Sequence, residues 1–239
     1  MTSMLNPTIL RLSTQALLGR RRGLVLMLIP GLLIVLAIVV RALTEAGVGY
    51  DIVSEVGFTL ALPIVALLAS SAVLGPEIDD GSIVYLIAKP VPRHVVVLSK
   101  YVVAWLATIG LGAVPLLLAG LVLDTSDPGR AVAWGVAALV SGTAYTALFL
   151  GLAALTRHAV VVGLLFVLLW EGLLGGLLSG IRWLAIGPWG MQVGSAVSDA
   201  VDEPGTGLTY ALLAALVVTA GSVWFAGDRL RSFTLRGDE

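Results

Sequence analysis

The sequence contains no cysteine, only two histidines and only 12% charged residues. Without cysteine, disulfide bonds and cysteine-ligated metal sites are excluded. Its only two lysines, Lys89 and Lys100, precede Pro90 and Tyr101. Neither can belong to a phosphate-binding P-loop, which requires Gly-Lys followed by Ser or Thr. We also find no His-Glu-x-x-His, Gly-x-Gly-x-x-Gly or Gly-x-Ser-x-Gly motif. The sequence therefore predicts no catalytic residue, no bound cofactor and no metal site in this chain.

Apolar residues dominate what is present. They make up 58% of the 239 residues, and the mean hydropathy of +1.02 is far above that of soluble domains. We therefore expect an all-α integral membrane protein with six transmembrane helices and both termini in the cytoplasm. A helix needs about 20 apolar residues to cross the ~30 Å hydrocarbon core. The predicted spans are about 23–42, 56–75, 100–123, 131–155, 159–180 and 206–227.

Residues 1–22 have the pattern of an amphipathic helix. Their apolar residues recur at spacings of four and three, which match the helical period; they are Leu5, Ile9, Leu12 and Ala16. Three arginines close the segment and favour contact with anionic lipid headgroups; they are Arg20, Arg21 and Arg22. We therefore expect an interfacial connecting helix at the inner membrane surface.

Lysine and arginine are distributed unequally between the two sides of the predicted topology. With both termini inside, eleven of them lie in the cytoplasm, and only Arg41, Arg130 and Arg182 lie outside. Because cytoplasmic loops carry an excess of these residues, the distribution favours this orientation. On the outer side, residues 182–205 mix Trp, Gly and Pro with apolar residues. This interruption predicts re-entrant or surface helices before the sixth span.

The longest polar interruption, residues 76–99, separates the second and third predicted spans. We expect Gly75 and Pro76 to end the second span. Acidic residues then begin a short surface helix, where negative charge suits a helix N-terminus. Pro90 and Pro92 bias the residues before them away from helix. The segment is therefore a candidate docking surface for a soluble partner.

This segment resembles the corresponding loop in the permease subunits of bacterial type-2 ABC exporters, the ABC-2 permease family. That loop carries an acidic residue, Gly-Ser or Gly-Thr, an apolar stretch, and then Lys or Arg with Pro before another basic residue. The residues that match are Glu77, Gly81, Ser82, Leu86, Lys89, Pro90, Arg93 and Lys100. The predicted topology resembles that of the family over the whole chain.

The resemblance implies a multi-pass exporter permease in the bacterial cytoplasmic membrane, with ATP and Mg²⁺ bound by a separate cytoplasmic ATPase dimer. It also implies a second permease half, identical or homologous, and no nucleic-acid partner. Residues 76–99 would be the coupling loop that docks the ATPase through Glu77, Asp79, Asp80, Gly81, Ser82, Leu86, Lys89, Pro90 and Arg93. Spans two and five would line the pathway through Phe58, Leu62, Phe166, Trp170 and Glu171. Because these spans are apolar, we expect a hydrophobic or amphipathic substrate.

Glu171 is the one charged residue that we expect inside a span. It follows Arg157 by 14 residues, or about 21 Å of helical rise. A carboxylate at that depth costs about 2–3 kcal/mol on insertion, which makes a functional role the default hypothesis. Gly172, Gly176 and Gly180 follow at spacings of four, so we expect their face to pack at the dimer interface or against the re-entrant segment. Glu171 then faces the pathway, caps a re-entrant helix or is a structural carboxylate.

Two alternatives to the exporter permease stay open. In a secondary transporter or channel, Glu171 would be the proton or ion site, although such proteins usually carry more ionisable residues inside the membrane. The chain could also be a membrane assembly protein that transports nothing. The presence of a P-loop ATPase among the neighbouring genes would distinguish these alternatives from an exporter.

Overall fold

Each long apolar run of the sequence forms helix, as the absence of water in a lipid core requires of the backbone N–H and C=O groups. The computed structural model describes residues 7–17, 19–44, 49–79 and 93–232, and these contain no β-strand. Five helical segments are long and apolar enough to cross a membrane: Gly23–Leu43, Tyr50–Leu74, His94–Leu123, Pro128–Leu155 and Leu208–Leu230. A further apolar helix, Ala159–Leu174, is shorter. The expected all-helical membrane class is therefore confirmed.

We number the helices in chain order. They are α1 (Pro7–Leu17), α2 (Arg20–Leu43), α3 (residues 50–79), α4 (residues 93–123), α5 (Pro128–Leu155), α6 (residues 159–177), α7 (Ile186–Ser195) and α8 (Leu208–Ser232). A short 3₁₀ helix, Ser179–Trp183, lies between α6 and α7.

Three of the long helices contain π-helical turns. They lie at Gly57–Ala61 in α3, at Ile109–Ala113 in α4 and at Phe166–Leu174 in α6. The π turns of α3 and α6 contact each other. Wider turns change which residues share a face, and they occur often at functional sites. A period of 3.6 residues therefore does not describe the faces of these segments.

Helix α5 lies at the centre of the bundle and packs against α3, α7 and α8. Two thirds of its apolar segment (67%) is buried within the chain, against 11% for that of α8. Small residues allow this close packing. The Cβ of an alanine at Gly142 would meet Thr108 of α4 at 3.2 Å, and one at Gly151 would meet the Ser222 carbonyl of α8 at 3.4 Å. Helix α8 is thus peripheral and leaves most of its apolar surface outside the bundle.

Helix α3 extends beyond the second predicted span at both ends. It begins at Tyr50, so Asp51 and Glu55 lie in its first two turns rather than in a loop. At the other end it continues through Gly75 and Pro76 to residue 79. The apolar span itself ends at Leu74, directly before these two residues, while the helix continues past them, because a proline near the end of a helix removes only one hydrogen-bond donor.

Helix α4 begins at Arg93, several residues before the predicted start of the third span. Lys100 consequently lies in its second turn. Its side chain is 1% exposed, and Nζ donates a hydrogen bond to the Val73 carbonyl of α3 at 2.7 Å. The prediction that Glu171 is the only charge inside a span is therefore wrong. The hydrogen bond and the surrounding protein replace the water that the ammonium group loses.

The predicted interfacial helix of residues 1–22 is divided in two. Helix α1 is Pro7–Leu17, and the three arginines at 20–22 belong to the first turn of α2. Helix α1 packs against α3 and α4. Ile9 and Leu17 are buried there, whereas Leu12 is 52% exposed. Of the predicted apolar stripe, Ile9 therefore packs against the protein and Leu12 does not.

Candidate functional site

Helix α7 lies directly on α5, and two glycines make this contact possible. The Cβ of an alanine at position 190 would lie 1.8 Å from Ser141 Oγ and 2.4 Å from the Ala137 carbonyl oxygen. At Gly194 the corresponding distance to the Ala133 carbonyl oxygen is 3.0 Å. Ten residues of helix extend only about 15 Å, half of the hydrocarbon core. Helix α7 therefore has the length expected of a re-entrant or surface helix.

The carboxylate of Glu171 caps the N-terminus of α7. The Ile186 N–H donates to Oε1 at 2.8 Å, and the Gly187 N–H donates to Oε2 at 3.3 Å. The first N–H groups of a helix have no partner within the helix, and its N-terminus carries a partial positive charge. Glu171, which is only 8% exposed, supplies both an acceptor and a negative charge at this point. These contacts match the capping alternative among the roles considered for Glu171.

Tyr145 of α5 lies beside this cap. Its side chain is fully buried, and it stacks on Phe149 with ring centroids 5.9 Å apart. The Tyr145 hydroxyl oxygen and Glu171 Oε2 each lie 3.4 Å from the position that a Cβ on Gly187 would occupy. Three elements, α5, α6 and α7, therefore meet at one buried polar point.

Aromatic side chains hold the chain segment that leads into α7. The Trp183 carbonyl accepts hydrogen bonds from Trp189 Nε1 at 3.0 Å and from the Tyr210 hydroxyl at 2.7 Å. Trp170 Nε1 donates to the Leu184 carbonyl at 3.3 Å. Indole and phenol groups have an apolar body and a polar tip, which suits the level of the lipid headgroups. Helices α6, α7 and α8 are thus linked at the end of the bundle where α7 begins.

Gln192 holds the other end of α7. It is 3% exposed, its Nε2 donates to Glu203 Oε1 at 2.9 Å, and its Oε1 accepts the Thr206 N–H at 3.0 Å. Both partners lie in the connection between α7 and α8. Satisfying both ends of a buried amide fixes the position of its side chain. Helix α7 is therefore held at both ends and along its length.

A cavity of about 500 Å³ opens between α7 and the start of α3. Five carboxylates and one arginine lie along it, and its apolar wall includes Phe58 and Met191. The charged lining residues are Asp51, Glu55, Glu171, Arg182, Asp202 and Glu203. The sequence assigned all of these except Glu171 to outer loops, and the fold brings them together because α3 begins beside the connection that follows α7.

The five predicted pathway residues separate into two groups. Phe58 and Glu171 line the cavity. Leu62 is fully buried in the core, Phe166 packs edge-on against Phe149 of α5, and Trp170 bonds to the Leu184 carbonyl. The structure therefore brings two of the five to one open space and directs the other three to contacts within the chain.

The predicted glycine face of α6 does not form. Gly172 lies in the π-helical segment, and α6 ends at residue 177. Leu178 then adopts an extended conformation, and Gly180 belongs to the 3₁₀ helix that follows. Because the helix is both widened and broken, residues spaced by four do not align. The expectation of one glycine stripe from Gly172 to Gly180 is wrong.

Most of the predicted docking segment lies outside the described residues. This applies to Asp80, Gly81, Ser82, Leu86, Lys89 and Pro90. Glu77 and Asp79 belong to the last turn of α3, and Arg93 is the first residue of α4. Two helices that lead to the segment, α3 and α4, are joined by the buried Lys100, whose role the sequence reasoning missed. From the sequence, a lysine that precedes more than twenty uncharged residues is compatible with a loop residue and with a buried helix residue. Only the packing of α4 against α3 shows that Lys100 is buried.

The turn between α4 and α5, at the opposite end of α4 from the docking segment, carries a cluster of polar contacts. Asp124 Oδ1 accepts the Ser126 N–H at 2.8 Å and also its hydroxyl. These hydrogen bonds hold the pKa of the Asp124 carboxyl below its ordinary value. The Arg130 guanidinium lies 4.1 Å above the ring of Tyr50, and Arg41 donates to the Leu123 carbonyl. The start of α5 is thereby joined to the start of α3, and the end of α2 to the end of α4.

The described part of the chain contains no group of three or more His, Asp or Glu side chains that could hold a metal ion. The cavity carboxylates therefore do not converge on one point.

A comparison with protein families adds a finding on the whole arrangement. The model described as "ABC-2 family transporter protein" matches residues 37–188, which is more than half of the chain. The matched range extends from within α2 to the first turn of α7. It therefore includes the predicted docking segment, Glu171, and the two residues whose N–H groups it caps. No curated protein matches the chain.

Proposed function

Since the chain belongs to the ABC-2 transporter family of membrane permeases, we propose that it exports a hydrophobic or amphipathic substrate from the bacterial cytoplasm, driven by a separate ATPase. The family match over residues 37–188 is the observation that carries the proposal. Association with an ABC ATPase is general in this family. The direction of transport, the substrate class and the docking residues are our own inferences.

Six membrane crossings with both termini in the cytoplasm form the topology of this proposal. Five helices are long enough to cross, and α6 adds 19 residues, or about 28 Å of rise, against a core of ~30 Å. Eleven cytoplasmic lysines and arginines against three outer arginines support the orientation. Residues 76–99 then face the cytoplasm, and α7 with its cavity faces outward.

In this proposal the ATPase dimer docks on residues 76–99 and moves α3 and α4 together. The two helices enter and leave the docking segment. Lys100 of α4 bonds to the Val73 carbonyl of α3, although the residues are 27 apart in sequence. A buried hydrogen bond to a charged donor contributes about 1.5–3 kcal/mol. This bond therefore favours movement of both helix ends as one unit when the ATPase closes.

At the outer end, α7 acts as the gate and Glu171 holds it closed. Both oxygens of the carboxylate are used by the first turn of α7. The π-helical turns of α3 and α6 contact each other, and that of α6 contains Glu171. Such turns inside α-helices occur often at functional sites. Re-packing of these turns would connect movement at the cytoplasmic side with release of α7.

A second permease half, identical or homologous, completes the pathway. Helix α6 has exposed apolar residues along one side, among them Leu165 and Leu169, which are 51% and 50% exposed. Apolar faces of this kind lie against lipid or against another membrane helix. An apolar lining between two such halves suits a hydrophobic or amphipathic substrate, since it offers no partners to a sugar or a metal ion.

The test is copurification of an ATPase. The tagged protein is expressed with its genomic neighbours and purified, and ATP hydrolysis is measured. Glu77→Arg combined with Lys89→Glu reverses two charges of the docking segment, and we expect it to abolish both copurification and hydrolysis. Arg157→Glu is the matched control, because Arg157 is exposed and lies on the same side of the proposed topology but outside the segment. The control should leave the complex intact.

Direction and substrate class are tested with inside-out membrane vesicles. We expect ATP-dependent accumulation of an amphipathic fluorescent dye in vesicles that carry the complex, and no accumulation with the docking variant. A wild-type chain that purifies alone and stable would contradict the proposed ATPase-driven transport. ATP-dependent loss of dye from the vesicles would contradict export.

A further inference from the structure

A second open space lies within the membrane-spanning part of the bundle. It is a groove of about 630 Å³ between α4, α5 and α8. The walls include Tyr101 of α4, Val140 of α5, and Leu216, Ala220 and Trp224 of α8. Leu216 and Trp224 are 64% and 67% exposed. The groove therefore presents a concave apolar surface that the chain itself leaves open.

The hydroxyls of Tyr101 and Thr143 in the groove wall are already bonded within the protein. The Tyr101 hydroxyl donates to the Thr143 carbonyl at 3.2 Å, and the Thr143 hydroxyl donates to the Leu139 carbonyl at 2.6 Å. The Thr143 oxygen also accepts Trp105 Nε1 at 2.9 Å. A polar ligand would lose its hydration in this groove without gaining these groups as partners. The lining therefore favours an apolar occupant.

The groove has the length of one lipid leaflet. Along α8 it extends from Leu212 to Trp224, inside the apolar segment Leu208–Leu230. Twelve residues of helix rise about 18 Å, against about 15 Å for half of the hydrocarbon core. His94, near the start of α4, lies at the end close to Trp224, with Nδ1 3.1 Å from the Cβ position of Gly227. One end of the groove is thus polar and lies near the ends of α4 and α8, and the rest is apolar.

The groove is too small to enclose a helix. A helix with side chains is about 10–12 Å in diameter, so 18 Å of it occupies roughly 1,400–2,000 Å³. The groove provides about 630 Å³, less than half of that. A whole helix from a second copy of the chain therefore cannot be enclosed by the groove. A single hydrocarbon chain is narrow enough to do so.

We propose that this groove is a binding site for one acyl chain of a membrane phospholipid, with the lipid headgroup beside His94. Because an acyl chain in a bilayer is already out of water, close van der Waals contact between the acyl chain and the groove wall supplies the driving force. The lipid contacts α4, α5 and α8 together and fills the space between the peripheral α8 and the central α5. The site is separate from the α7 cavity, and the inference does not rest on the proposed transport activity.

Native mass spectrometry tests the proposal. The full-length protein, reconstituted in bilayers of dioleoylphosphatidylglycerol and dioleoylphosphatidylethanolamine, is extracted in detergent, and retained phospholipids are counted for each chain. Leu216→Trp combined with Ala220→Phe fills the groove. The matched control, Leu213→Trp combined with Val217→Phe, lies on the same helix at the same spacing but outside the groove, where the residues are 58% and 64% exposed. We expect at least tenfold lower lipid retention in the groove variant only.

The proposal would be overturned if the groove variant and the control variant retained the same amount of lipid. It would also be overturned if the wild-type protein retained none. A second measurement does not depend on folding of the groove variant. A photo-crosslinking amino acid at position 220 should form an adduct with the mass of a phospholipid. Crosslinking at that position to a second copy of the chain, or to no phospholipid, would show that the groove is not a lipid site.

Discussion

Replacement of Glu171 by glutamine tests whether the carboxylate stabilises the first turn of α7. The carboxylate accepts two backbone N–H groups, at 2.8 Å from Ile186 and at 3.3 Å from Gly187. A glutamine amide has one acceptor oxygen and one NH₂ group, so one of the two N–H groups would face another donor. A hydrogen bond to a charged group contributes about 1.5–3 kcal/mol, against about 0.5–1.5 kcal/mol for a neutral pair. We therefore expect the first turn of α7 to lose about 2–4 kcal/mol of local stability.

A second effect acts in the opposite direction on global stability. A charged carboxylate within the membrane costs about 2.5–3.5 kcal/mol, and the variant removes that cost. The two effects are of similar size, so the unfolding temperature of the whole protein should change little. Amide hydrogen exchange at residues 186–190 should in contrast accelerate by roughly 30- to 700-fold, which corresponds to the 2–4 kcal/mol. The distinguishing result is local loosening without global destabilisation.

Glu55→Gln is the control for this experiment. Glu55 lines the same cavity but is exposed and accepts a hydrogen bond from the Thr59 hydroxyl at 3.0 Å. Its replacement should leave exchange at residues 186–190 unchanged. If Glu171→Gln also left that exchange unchanged, the capping role would be refuted. If both variants accelerated it equally, the cause would be the charge of the cavity rather than the cap.

Three further predictions concern packing, the docking helices and the outer turn. Gly190→Ala should lower the free energy of unfolding by about 1–3 kcal/mol in a thermal unfolding assay, because the new Cβ would overlap α5. Gly180→Ala is the control and should leave the free energy of unfolding unchanged, since nothing lies within 4 Å of its Cβ position. Lys100→Met removes the hydrogen bond from Lys100 to the Val73 carbonyl of α3. In the purified complex with the ATPase, it should therefore reduce substrate-stimulated ATP hydrolysis more than basal ATP hydrolysis. An equal reduction of both rates would contradict a role of Lys100 in coupling α3 to α4. Ser126→Ala should raise the pKa of Asp124 toward its ordinary value in an NMR titration, because the serine hydroxyl bond that lowers it is lost. Since the folded-state pKa is lowered, these bonds stabilise the turn above the unfolded carboxyl pKa and the stabilisation is lost as pH falls through the folded value; an unchanged titration would contradict this account.

The position of the long apolar segments followed from the sequence, because a lipid core leaves helix as the only local solution for an uncharged run of about 20 residues. The ends of these segments did not follow. Polar residues such as Asp51 and Lys100 are compatible with either a loop or the last turns of a helix. Which state they adopt depends on whether neighbouring helices supply partners, as the Val73 carbonyl does for Lys100.

The candidate site was predicted in part. A single carboxylate in an apolar run identified Glu171, and Trp, Gly and Pro identified a broken segment near it. A contact between Glu171 and the start of a helix in that segment was only one of the three roles considered for Glu171. Their contact joins residues 15 and 16 apart across a chain reversal between α6 and α7. No spacing rule relates residues on either side of such a reversal.

The π-helical turns explain why some periodicity arguments were wrong. Counting in steps of four placed Gly172, Gly176 and Gly180 on one face. The nine-residue π segment of α6 changes that register, and the break at Leu178 ends it. These local departures depend on tertiary contacts such as that between the π turns of α3 and α6.

The sequence by itself determined the protein class and its all-helical architecture, and it contained the docking-segment residues that resemble the ABC-2 permeases. These are local properties, set by the length of an apolar run or by residues within one short segment. Tertiary structure alone decided which charges are buried, which glycines admit a neighbouring helix, and that Glu171 caps α7. Each of these depends on the distance between atoms far apart in the chain, and such distances exist only after the helices have packed.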